Sequence, residues 1–151
     1  MNTDEVLSTT ARAWTGEMGA DEYGAFLNLL LKAERAGARL LAAYLDELPL
    51  DSFRWKCVRA VQLDEARNCA VLIHLLLEVE VTPTPAVGDF YGRGLAIREW
   101  RERMEFLNRG QAWVARRIAA ALPRVPEKHR AFLQAMHESH VANIESCEAL
   151  L

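Results

Sequence analysis

Four long segments of this chain repeat apolar residues every three to four positions, and no stretch of any length alternates apolar with polar residues as a half-buried strand would. The first segment, about 21–48, carries Leu27, Leu30, Ala38, Leu41, Leu45 and Leu48 on one stripe. The second, about 52–80, carries Val58, Val61, Leu72, Leu75 and Val79. The third, about 95–122, carries Ile97, Trp100, Met104, Leu107, Val114 and Ile118, and the fourth, about 126–151, carries Leu133, Met136, Ile144, Cys147 and Leu151. Pro49 stops the first, Asp51 or Ser52 is placed to cap the second, Pro123 ends the third and Pro126 opens the fourth. The pattern predicts an all-α domain over residues 21–151, preceded by a lead-in over 1–20 with a short helix around Val6 to Trp14.

Linker lengths narrow the topology. A few residues join the first segment to the second and the third to the fourth, so each pair should form an antiparallel hairpin. Between the second and third lies Val81 to Gly94, with two prolines and three glycines. Extended at about 3.3 Å per residue, it reaches about 45 Å. A helix of the second segment's length spans about 40 Å. A long crossover, setting the second and third helices parallel, is therefore within reach, although a folded local loop of the same length would also fit.

With 151 residues, 51% of them hydrophobic, the chain can bury one core. Its net charge of −3 argues against a nucleic-acid partner. The arginine-rich stretch from Arg93 to Arg130 reads as a solvated face, with Glu99 paired to Arg103 and Glu105 to Arg109 at helical spacing. Cys57, Cys69 and Cys147 form no CxxC pair and suggest neither disulfides nor a zinc knuckle. No long apolar run opens the chain, so a signal peptide or membrane anchor is not expected, and a cytoplasmic location is.

Against this background the ionisable residues inside the stripes stand out. Glu34, Glu65 and His140 occupy positions where the apolar register calls for leucine. Such groups are costly to bury unless paired, hydrogen-bonded or bound to metal. Glu34 lies as far before the end of its segment as Glu65 lies after the start of the next, so an antiparallel hairpin sets them level. The same count sets His137 and His140 opposite Asn108 and Gln111. Glu65 with Asn68, and His137 with His140, are i, i+3 pairs that point to one side of a helix. Carboxylate and imidazole together suit iron, manganese or zinc. Glu34, Glu65, His137 and His140 are thus expected as metal ligands, with Asn68, Asn108 and Gln111 as hydrogen-bonding supports around them. The bland alternative is a hydrogen-bonded core cluster, ion-paired with Arg35, Arg67 or Arg103.

The stretches Lys32-Ala-Glu-Arg-Ala-Gly-Ala, Asp64-Glu-Ala-Arg-Asn-Cys-Ala, Gly88-Asp-Phe-Tyr-Gly, Leu107-Asn-Arg-Gly-Gln and Ser139-His-Val-Ala-Asn-Ile resemble the ferritin-like superfamily over residues 22–148. Within it the chain looks most like a small uncharacterised bacterial family. The resemblance implies a four-helix bundle with the long crossover between its second and third helices, and an iron or manganese site in the bundle core. Di-iron members of that superfamily use one Glu from each of two helices and Glu-x-x-His from each of the other two. Here Glu34 fits a single Glu, Glu65 is followed by Asn68 instead of His, and His140 is preceded by His137 instead of Glu. The third segment offers only Asn108 and Gln111 at the right height, with Glu105 about 100° off its stripe. Two carboxylates and two histidines fall short of the usual six ligands and imply a depleted site, either a mononuclear centre or one that has decayed into a polar core.

Two functions follow as expectations. One is metal-dependent oxidation or peroxide handling by a homodimer acting on an unidentified small molecule. The other is a metal-free bundle with a structural or binding role. His74 is expected at an interface or surface and His129 exposed at the start of the fourth helix. Tyr44 and Tyr91 are possible phenols near a metal, and Trp55, Trp100 and Trp113 are packing residues. The Gly88-Asp-Phe-Tyr-Gly-Arg-Gly run lacks the strand, helix and lysine of a phosphate loop and is expected to cover a bundle face with Phe90 and Tyr91.

Overall fold

The computed structural model describes residues 18–151, among which there are helices and loops but no strand. Five α-helices follow one another: α1 (Ala20–Asp46), α2 (Phe53–Glu78), α3 (Phe90–Leu95), α4 (Trp100–Ala121) and α5 (Glu127–Glu148), with a 3-10 turn at Leu122–Arg124 before α5. The short helix expected around Val6 to Trp14 lies outside the described residues. Met18 is buried, and its amide donates to the Arg124 carbonyl at 3.2 Å.

Local chemistry accounts for most boundaries. Ser52 Oγ accepts the Trp55 amide at 3.2 Å and caps α2, one of the two residues expected to do so. The third segment departs from expectation, because it is not one helix from residue 95. Leu95 ends the short α3, the chain turns at Ile97, and α4 starts only at Trp100. Glu99 is the reason: its carboxylate accepts the amides of Arg101 and Glu102 at 3.1 and 2.8 Å, satisfying two donors that open α4. The expected Glu99–Arg103 pair therefore does not form. Arg103 instead pairs with Glu47, donates to the Ile97 carbonyl at 2.9 Å and lies over the Tyr44 ring.

α1 packs along α2 and α4 along α5, while α2–α5 and α1–α4 contacts join the two pairs. The linker after α2 is held along α1. Val81 lies against Gly24, the Thr84 amide donates to Asn28 Oδ1 at 2.8 Å, and Arg35 donates to the carbonyls of Thr84 and Ala86 at 2.7 and 2.9 Å. Farther on, Tyr44 donates its hydroxyl to the Gly94 carbonyl at 2.8 Å. Gly88 has φ +78° and lets the Lys32 side chain press close, which a residue with a Cβ would resist. Phe90 stacks on Phe106 with ring centroids 4.4 Å apart, so this stretch does cover a helical face as expected.

The interior has three layers. One apolar cluster holds Leu27, Leu30, Leu72, Ile118 and Leu133 among others; a second holds Leu41, Val58, Val61, Met104 and Cys147. Every long helix contributes to both, and between them each places polar side chains: Glu34, Glu65, Gln111 and His140 are all buried. Beyond the first cluster, His129 is only 1% exposed, not exposed as expected. It stands four residues before Leu133 on the same stripe, and Glu78 Oε2 and the Tyr23 hydroxyl each hold one ring nitrogen at 2.6 Å. His74 is exposed and faces the same Glu78 at 3.1 Å. No described helix is long and apolar enough to cross a membrane.

Candidate metal centre

Helical register brings the first two carboxylates together. Glu34 follows Leu27, Leu30 and Leu31 on the buried face of α1, and Glu65 follows Val58 and Val61 on that of α2. Gly37 makes the approach possible. A Cβ there would sit 2.8 Å from Glu65 Cδ and closer still to Oε2, so the Glu65 carboxylate occupies the space a side chain would fill.

α5 supplies the third group. Its register through Leu133 and Met136 carries His140 into the interior, where it is 1% exposed. The Nδ1 atom lies 2.8 Å from the Met136 carbonyl oxygen. A carbonyl can only accept, so Nδ1 carries a proton, and Nε2 is the nitrogen that binds a metal in the neutral ring or carries a second proton in the charged one. That nitrogen faces Glu34 Oε1 at 2.6 Å. Ligand atoms of Glu34, Glu65 and His140 all lie within 4.8 Å of one another.

Electrostatics gather negative charge here that protons or a cation must offset. Burial, the Glu34 charge and the more distant Asp64 push the Glu65 carboxyl well above the usual range, and its Oε2 is buried with no hydrogen-bond partner among the described residues. On His140, burial opposes a charged ring, but Glu34 and the Met136 carbonyl outweigh it and raise the imidazole. The arginines named as ion-pairing alternatives are engaged elsewhere: Arg35 with linker carbonyls, Arg67 with Asp64 and Arg103 with Glu47. Neutrality within the triad therefore comes from protons or from a metal ion, and two carboxylates with one imidazole suit iron(II), manganese(II) or zinc.

The remaining expected residues fall around this triad in different ways. Asn68 Nδ2 donates to Glu34 Oε2 at 3.4 Å. Gln111 is buried in the same layer, and Asn108 is half-buried with an Oδ1 that has no partner among the described residues. His137 is half-buried and stays outside the convergent group. Three residues along a helix fall about 60° short of a full turn, so a ring three positions before the inward-pointing His140 lies toward the helix edge. Glu105 is half-buried and also outside the group.

Two thiols flank the triad. Cys69, one turn after Glu65, is half-buried, and desolvation with the Glu34 charge raises its pKa to about 12. Cys147 is buried, and desolvation with the Glu65 charge raises it to about 11. Both are thiols at neutral pH and weak ligands in that form.

A family described as Domain of unknown function (DUF6306) matches residues 21–149. The chain belongs to this family. No curated protein and no solved structure matches it. The match spans all five described helices and the whole Glu34–Glu65–His140 group, so the triad lies within the family domain.

Reasoning from the sequence missed the buried Tyr23–His129 pair and its hydrogen bond to the exposed Glu78. Its signal was present: Tyr23, Leu27, Leu30 and Glu34 form one stripe, and His129, Leu133, Met136 and His140 another. Residues 23 and 129 thus lie on the buried faces of α1 and α5.

Proposed function

We propose that the Glu34–Glu65–His140 triad binds a single iron or manganese ion in the core of a ferritin-like four-helix bundle, and that the bound ion serves oxidation or peroxide chemistry. The single observation that carries this reading is the orientation of His140. Its Nδ1 proton is committed to the Met136 carbonyl, so Nε2 is the nitrogen turned toward a carboxylate oxygen, 2.6 Å away in the buried polar layer. An imidazole fixed by a main-chain acceptor is the usual support of a metal-bound histidine. The linker path along α1, from Gly24 to Tyr44, supports the long crossover of such a bundle. Glu34 and Glu65 would hold the ion through carboxylate oxygens and His140 through Nε2, with Asn68 orienting Glu34. A bound redox-active ion would supply one-electron chemistry and a place for oxygen or peroxide.

The competing reading is a metal-free bundle in which a proton joins Glu34 to His140; their direct 2.6 Å approach is the observation in its favour. Peroxide consumption by iron(II)-supplied protein separates the two. Under the metal reading it exceeds that of iron(II) in buffer and returns to the buffer rate in Glu65→Ala. Equal consumption by protein and buffer would defeat the oxidation reading.

A further inference from the structure

A cavity of about 360 Å³ opens beside the triad, reaching Glu34 and Glu65 at its inner end and the protein surface at its outer end. Leu29, Ala33, Leu107, Trp113 and Val114 form much of its wall, so the body of any occupant is apolar. Polar groups are confined to the two ends, and they differ in character.

At the inner end, Gln111 lines the cavity with 3% of its surface exposed. Neither its Nε2 nor its Oε1 finds a hydrogen-bond partner among the described residues, and the Cys147 thiol beside it is a weak one at best. A buried amide left in that state destabilises the fold unless something else engages it. At the mouth, Lys32 and Arg93 are exposed, and neither belongs to an ion pair among the described residues. Asp89 is the one carboxylate beside them, so the rim carries a net positive charge.

We infer that the cavity is a binding site for a small carboxylic acid with an apolar body and a neutral oxygen group at its far end, as in a phenolic acid. The charges fix its direction. A carboxylate at the inner end would meet Glu34 and Glu65, whose charge a bound divalent ion would only balance; at the mouth it meets the net positive Lys32 and Arg93. The neutral hydroxyl then reaches Gln111, whose amide can both donate to it and accept from it. This pocket exists whether or not the triad holds a metal, so it goes beyond the reading above.

Calorimetric titration of the full chain, with and without manganese(II), tests it with three probes: 3-(4-hydroxyphenyl)propanoate, 3-phenylpropanoate and 4-propylphenol. The hydroxy acid should bind most tightly. Removing its hydroxyl should weaken binding about fivefold, the worth of one neutral hydrogen bond. Removing its carboxylate should weaken it about tenfold, as should Lys32→Glu or Arg93→Glu, exposed changes that leave the core alone. In Gln111→Leu the preference for the hydroxyl should disappear and the thermal midpoint should rise, a readout that also certifies folding. Three probes binding alike, or none binding while manganese still does, would overturn the inference and leave the metal reading untouched.

Discussion

A methyl group at Gly37 would collide with the carboxylate of Glu65, which makes this glycine the most direct test of how the triad is held. In an ordinary helix interior Gly→Ala stabilises by about 1 kcal/mol. Here the same change should displace Glu65, so Gly37→Ala is expected to keep its helical circular dichroism while metal affinity falls at least tenfold. Unchanged affinity for manganese in equilibrium dialysis would show that Glu65 is not needed where it sits. The residue scale is also where sequence reasoning reached furthest. Glu34, Glu65 and His140 break their apolar stripes, and helical register alone sets them level. His137 shows the limit, since i, i+3 spacing specifies a side of a helix only to within about 60°. No pattern in the sequence marks the Met136 carbonyl as the acceptor for His140, because that depends on a side-chain rotamer.

Helix pairs and their connection behave as elements with separate roles. Arg35 fastens the linker to α1 through two carbonyls. Arg35→Ala should cost about 1 kcal/mol in global stability. Amide exchange over residues 82–87 should quicken while that of α2 and α5 does not; uniform exchange throughout would contradict a locally fastened strap. At the far end, His129 joins α1, α2 and α5 through Tyr23 and Glu78. The hydrogen bond from His129 holds the Glu78 carboxyl below its ordinary value of 4.5, against a smaller effect of burial. A carboxylate lowered in this way adds stability above that value, which is lost as pH falls through the folded-state pKa. The urea midpoint should therefore drop as pH falls from 4.5 through the lowered folded-state pKa, and Glu78→Gln should shrink that drop. An equal drop in the variant would assign it to other carboxylates. The lengths of α1 and α2 were legible from Pro49 and the capping residues. The split before α4 was not, because Glu99 is as acceptable inside a helix as at its cap, and only the turn at Gly94–Ile97 decides between them.

Taken whole, the molecule is an all-helical interior in which two apolar clusters enclose a polar layer, with a cavity leading from that layer to the surface. The layering was legible, because it follows from counting along antiparallel helices. The cavity was not: its walls come from α1, α4 and the linker, and a void is a property of how those surfaces fail to meet rather than of any one stretch. The family match covers this entire arrangement without assigning it a chemistry. What the account rests on is that the buried triad holds a metal ion. Elemental analysis of the full, untagged chain, expressed with iron and manganese supplied and desalted gently, tests this most directly. The account predicts about one iron or manganese per chain, lost in His140→Ala while the variant stays folded. Protein that is folded, metal-free and unable to take up either ion on titration would contradict it.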